Sequence, residues 1–271
     1  MPPRPDALFH TQSRTFHPTE FARGPWSPDA LHGGAVAALV AHAVERHEAD
    51  PAFFVARTTV EFERVVPMAD LEVAVETIRP GRRVQALDTA VSVAGTVVAR
   101  ARSVRIRRRA ADDLLAVDAV TLPNPEPAGP ETARESTWRR DPTETWTALL
   151  HATEVRNVRG EFGVPGPASA WFRLTVPIVA GTELSPLERV YAVADFGSGV
   201  GSPVNFAEWL YINPELTVHL TREARGEWVL IDSGSLADPT GVALSETGIS
   251  DTSGRIGRAT ASVLLDELPR D

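Results

Sequence analysis

The chain has 271 residues, enough to bury a real core as one large domain or two of ordinary size. Its composition is globular, 43% hydrophobic and 23% charged, and a net charge of −9 argues against nucleic acid as the main partner. The absence of cysteine excludes disulfides, thiolate metal sites and a Cys nucleophile.

No apolar run approaches the ~20 residues of a membrane span, and MPPRPDALFH lacks the apolar stretch of a signal peptide, so a cytoplasmic protein with no membrane role is expected. Residues 1–15 are polar and expected to be poorly fixed; Thr15 to Ala22 then reads as a short strand. Gly24-Pro25 and Ser27-Pro28 punctuate the approach to HGGAVAALVAHAVERHE, His32 to Glu48. Val36, Leu39, Val40, Ala43 and Val44 recur at helical spacing, which predicts a helix with one apolar face. Gly33 and Gly34 at its start suit close packing, and the free N–H groups of a helix start also suit an oxyanion.

Asp50-Pro51 ends the helix, and strands are predicted at Phe53 to Val66, Leu71 to Ile78, Val84 to Val93 and Thr96 to Ile106. Ala94-Gly95 is the turn of the last pair. PNPEPAGPETARE is a Pro- and Glu-rich linker, with Trp138 and Trp146 expected to pin its end. The second half repeats the first: a strand at Trp171 to Val179, a helix begun by Ser185-Pro186 and running to Ala194, and strands at Leu210 to Leu220 and Glu227 to Ile231. GTVVARARSVRI from Gly95 aligns with GRIGRATASVLL from Gly254, a self-similarity at ~150 residues that marks a duplicated module. The expected organisation is a first module at 1–108, a linker at 109–150 and a second module at 151–271.

On His32-Gly33-Gly34, on INPELTVHLTR (Ile212 to Arg222) and on EWVLIDSGS (Glu227 to Ser235), the chain resembles the double-hotdog acyl-CoA thioesterases of the type II family. The resemblance covers roughly residues 15–108 and 165–267 and implies an α+β fold, two tandem modules each with a long helix wrapped by an antiparallel sheet. It also implies hydrolysis of acyl-CoA thioesters by carboxylate-activated water, with no cofactor, coenzyme A entering as part of the substrate. Carried over by residue, the family's carboxylate falls on Glu215 and its hydroxyl on Ser235, with the Gly33 and Gly34 amides meeting the oxyanion. His32 and Asn213 are implied as substrate-binding residues. The family's Gln falls at Ala261 or Ser262 and is absent, and its aspartate is one methylene longer here. Single-domain relatives carry an acid about nine residues after the HGG histidine, where this chain has Ala41. One site per chain is therefore expected, and the alternative function is a slow or silent acyl-CoA binding protein on the same fold.

Other motifs carry less. Asn213-Pro214 is similar to a stretch of hotdog enoyl hydratases, but Tyr211 and Leu216 stand at the Asp and His positions. Gly197, Gly199 and Gly201 miss the dinucleotide pattern and read as a helix ending and turning, with Asp195 before them as an alternative acid. His42, Glu45 and His47 do not share a helical face, so no metal site is expected. RARSVRIRRR, Arg100 to Arg109, reads as a solvated strand end, the alternative being a seat for coenzyme A phosphates. Phe53, Phe54, Phe62, Phe206, Trp209 and Tyr211 read as plain core or as a tunnel wall. Exposed sheet edges predict a homo-oligomer.

Overall fold

The computed structural model describes residues 4–109, 127–137 and 147–268. Two short strands, β1 (Phe9–Gln12) and β2 (Thr15–Pro18), lead to helix α1 (Gly33–Arg46). Four long strands follow: β3 (Phe53–Phe62), β4 (Leu71–Arg79), β5 (Val84–Val93) and β6 (Thr96–Arg107). Beyond the Pro-rich stretch come β7 (Arg134–Glu135), β8 (Thr153–Arg159), β9 (Ala168–Leu174), α2 (Pro186–Ala194) and the single turn α3 (Gly197–Val200). The chain ends through β10 (Trp209–Ile212), β11 (Glu215–Leu220), β12 (Val229–Ala237), β13 (Val242–Asp251) and β14 (Gly254–Glu267).

Among the described residues the strands join in one 14-stranded sheet whose middle runs β2-β4-β5-β6-β3-β11-β14-β13-β12-β9. That order reads alike from both ends about the β3–β11 pair, where Thr59 faces Thr217. The sheet curls around α1 and α2, which pack against each other in opposite directions, Gly34 lying at the Ala192 end of α2 and His42 at its Glu188 end. α1 departs from the one-faced helix that its spacing predicts. From Gly34 to His42 it is buried on every side, because the sheet covers what α2 leaves open.

Three further expectations change. The opening residues are pinned: Ala7, Leu8 and Phe9 are fully buried, and the Leu8 and Phe9 N–H groups donate to Pro177 and Ile178 carbonyls. A short apolar triplet fills the core there, although its flanks are polar. The strand expected at Leu210 to Leu220 breaks at Asn213-Pro214, since Pro214 has no N–H for the ladder. The strand expected from Trp171 begins at Ala168 and stops at Leu174. The described part of the linker is tied down by β7 on β8 and by the Trp171 Nε1–H bond to the Ala128 carbonyl, 2.9 Å. Trp138 and Trp146 lie outside the described residues.

Candidate active site

His32 is the N-cap of α1, and the two glycines after it are required by what lies opposite. A Cβ on Gly33 would stand 2.7 Å from the Asp195 Oδ2, and one on Gly34 would stand 2.5 Å from the Ala192 carbonyl oxygen. Gly34→Ala is therefore expected to destabilise the fold by ~1–3 kcal/mol despite the ~1 kcal/mol gain in helix propensity, because backbone must move. A lower denaturation midpoint measures it, and an unchanged or raised midpoint would show that the helices tolerate separation.

Asp195 is the C-cap of α2, the end where its own helix disfavours an anion, but it faces the electropositive start of α1. Its Oδ2 accepts from the Gly34 N–H at 2.8 Å and lies 3.0 Å from His32 Nδ1, and its Oδ1 accepts from Asn213 Nδ2 at 2.9 Å. The Gly34 nitrogen also lies 3.0 Å from His32 Nδ1, and one ring nitrogen cannot accept that proton while donating its own. A carboxylate only accepts, so the network is satisfied when Nδ1 carries a proton toward Asp195. Burial alone would push the Asp195 carboxyl up; the His32 ring, the Asn213 amide and the Gly34 N–H outweigh it and hold the group below the usual aspartate range. The residue is 8% exposed and anionic near neutrality.

This cluster stands in the wall of a cavity of about 450 Å³ that also contains Gly33 and Asn213. Gly33 contributes a helix-start N–H with no acceptor inside α1. The rest of the wall is mostly apolar. The His32 ring leans on Phe196 at 4.8 Å, and at the other side Trp26 meets Phe206 edge-on at 5.7 Å, followed by Tyr211 at 5.9 Å.

The Glu215 carboxylate is not part of this assembly, which Glu215 meets only through its backbone carbonyl, 3.2 Å from Asn213 Nδ2. Leu216 and Val218 turn inward to the core, so strand alternation sends Glu215 and Thr217 to the outer face of the sheet. There the Glu215 carboxylate accepts from the Ser262 N–H at 2.7 Å and from Thr217 Oγ1 at 3.2 Å. The contact with the glycine end that the resemblance assigns to Glu215 is made by Asp195, the acid named as the alternative. Ser235 faces inward, but onto Tyr211, its Oγ 2.7 Å from the phenol oxygen. It supports the cavity wall, where burial pushes the Tyr211 phenol up and keeps it neutral. Asn213 and His32 do meet, through Asp195.

The glycines after Asp195 serve packing. A Cβ on Gly197 would collide with the Thr247 hydroxyl, and one on Gly201 would stand 2.6 Å from the Gly234 nitrogen. No arginine of the run Arg100 to Arg109 lines the cavity. Arg100 pairs with Glu63, Arg102 with Asp88 and Arg108 with Glu223, while Arg105 donates to the Val44 and His47 carbonyls at the end of α1. Among the described residues no group of three or more His, Asp or Glu side chains is arranged to hold a metal, and no helix is long and apolar enough to cross a membrane.

No curated protein matches the sequence. Among solved structures, a hot dog fold protein of unknown function from Alicyclobacillus acidocaldarius superposes with a TM-score of 0.73 at 17% identity, covering 98% of each chain. The acyl-CoA thioesterase II TesB2 of Mycobacterium marinum gives 0.65 at 15% identity, over 95% of this chain and 94% of its own. The tesB protein of Mycobacterium avium subs paratuberculosis gives 0.64 at 15% identity, over 95% and 96%. At such identities the likeness speaks for the fold, which is the hotdog fold. Residues 22–106 match the model of the acyl-CoA thioesterase N-terminal domain and residues 125–265 that of its C-terminal domain. The chain belongs to the acyl-CoA thioesterase family, and is a thioester hydrolase.

Proposed function

We propose that this chain hydrolyses acyl-CoA thioesters through water activated by Asp195, and that it is a double hotdog with modules at 1–108 and 151–271 joined by a linker at 109–150. One observation carries the reading: a buried, anionic carboxylate bonded to a glycine-fronted helix start in the wall of an apolar cavity. The palindromic strand order supports the pairing of modules.

A carboxylate offers about four lone-pair directions, so the three donors on Asp195 leave room for a water. The carboxylate takes a proton from that water as its oxygen adds to the thioester carbonyl carbon. The Gly33 N–H donates to the oxyanion that develops, and removal of one such donor costs ~3–4 kcal/mol in other enzymes. Collapse breaks the C–S bond, and the proton held on Asp195 passes to the thiolate sulfur, giving a free acid and coenzyme A. The chemistry needs neither metal nor cofactor. His32 and Asn213 hold the carboxylate in one orientation, and their donors also make it a weaker base than an aspartate tuned toward neutral pH, so a modest turnover is expected.

The cavity sets the acyl group. An enclosed apolar space of ~150 Å³ accepts benzene, so about 450 Å³ accommodates a medium acyl chain or an arylacyl group. Trp26 and Phe206 limit its depth. Phe206→Ala is expected to move the preference to longer chains, each newly buried methylene adding ~0.8 kcal/mol, or about fourfold in kcat/KM. Thiol release across acyl-CoA chain lengths tests both the function and the depth limit. Binding of every member without release would favour the silent acyl-CoA binder, and an unshifted optimum in Phe206→Ala would remove the depth limit. The cytoplasm as site of action, and association between copies of the chain, belong to the same proposal.

A further inference from the structure

We propose that Arg64 is the seat of the phosphates of the thioester's carrier, and so the residue by which the site distinguishes a coenzyme A thioester from an uncharged one. The inference rests on the catalytic reading of the cavity given above. Among the described residues of the cavity wall, Arg64 and Asp195 are those of fixed charge, and they differ in state. Asp195 is buried and met by three donors. Arg64 is exposed, immediately past the end of β3, beside Val65, which is 78% exposed at the rim. Its backbone N–H donates to the Val98 carbonyl, and its guanidinium has no ion-pair or hydrogen-bond partner among the described residues.

An acyl thioester has one apolar end and one end that carries phosphate. The apolar end is stabilised by the interior between Phe62, Phe206 and Tyr211, and the phosphates must stay in water at the rim. An unengaged guanidinium at that rim matches them in charge and in fork geometry. The better-populated arginine run offers no rival. Arg107 pairs across from Phe53 and Ala99 across from Phe62, so its far end lies a strand length of ~30 Å from the rim, while its near end, Arg100, is held by Glu63. Arg100, Arg102 and Arg108 are engaged with carboxylates.

The test compares one acyl group on coenzyme A with the same group on N-acetylcysteamine, which has no phosphate. Arg64→Ala should lower the ratio of kcat/KM for the two substrates by about tenfold, mostly through KM for the coenzyme A thioester, and Arg64→Lys should restore part of it. Added salt should shrink the wild-type ratio and move that of Arg64→Ala much less. Binding of coenzyme A itself, followed by calorimetry, should weaken about tenfold in Arg64→Ala, and 3′-dephospho-coenzyme A separates the 3′-phosphate from the pyrophosphate. A ratio that stays the same in Arg64→Ala, or free coenzyme A bound equally by both proteins, overturns the proposal. Failure to release thiol from either substrate, with coenzyme A affinity still dependent on Arg64, overturns the catalytic reading instead.

Discussion

Asp195→Asn is expected to cut kcat by ~10²–10⁴-fold, the range associated with loss of a positioned general base. The substitution keeps the shape and one acceptor, so a retained circular dichroism spectrum and denaturation midpoint separate lost chemistry from lost fold. Glu215→Gln is the control. Its carboxylate sits on the outer face with Ser262 and Thr217, and the rate should stay within about a factor of two, as for a surface change. A large loss in Glu215→Gln with activity retained in Asp195→Asn would restore the assignment that the resemblance gives. The pH dependence has a fixed sign. Hydrogen bonds to the charged form lower the Asp195 pKa, so kcat/KM should be level near neutrality and fall only as acid protonates the group, below the usual aspartate range. The same lowering contributes stability above that range, which is lost as the pH drops through the folded-state value. A rate inflection near neutrality would mean that another group is the base.

The helix start was legible in the sequence because its signal is local. A histidine cap, two glycines and an apolar helix are adjacent in the chain, and the structure uses them together. The turn at Ala94-Gly95 and the β5–β6 pair were legible for the same reason, being set by alternation and a φ of 77° at Gly95. The place of Asp195 was not, because its partner Gly34 lies 161 positions away and only the packing of α2 on α1 joins them. A signal did exist: an aspartate closing an apolar helix, against that helix's dipole, just before three glycines that have to pack closely. The outward placement of the Glu215 side chain was not legible either, because it follows Asn213-Pro214, where the strand breaks. Register across such a break decides which face a side chain takes, and a slip of one residue reverses it.

Glu188→Ala is expected to cost about 3 kcal/mol, the low end for breaking a buried ion pair, and to lower the melting temperature by roughly 6–12 °C. The reason lies in the relation between the helices. Asp195 stands ten residues beyond the N-cap of α2, and His42 stands ten beyond the N-cap of α1. Asp195 faces the start of α1, while His42 faces the start of α2 and meets Glu188 there at 2.7 Å. The second helix start thus has a histidine where the first has its acid, and a serine capping box with Pro186 where the first has glycines. Pro186 has no N–H to offer an oxyanion, so this end serves as a clamp. Glu188 is fully buried, bonded to His42, to Arg46 at 2.9 Å and to the Ser185 N–H at 2.8 Å. Burial would push its carboxyl up, but the His42 bond and the Ser185 N–H outweigh it and hold it below the usual glutamate range. The stability it contributes is therefore present above that range and disappears as the pH falls through its lowered value. Arg46, 44% exposed, regains water in the variant, which keeps the cost at the low end, whereas His42 stays buried without its partner. Glu188→Gln keeps the cap and should lose less. A midpoint in Glu188→Ala equal to wild type, or one lowered equally by Gln and Ala, would show that the charge at this end holds nothing together.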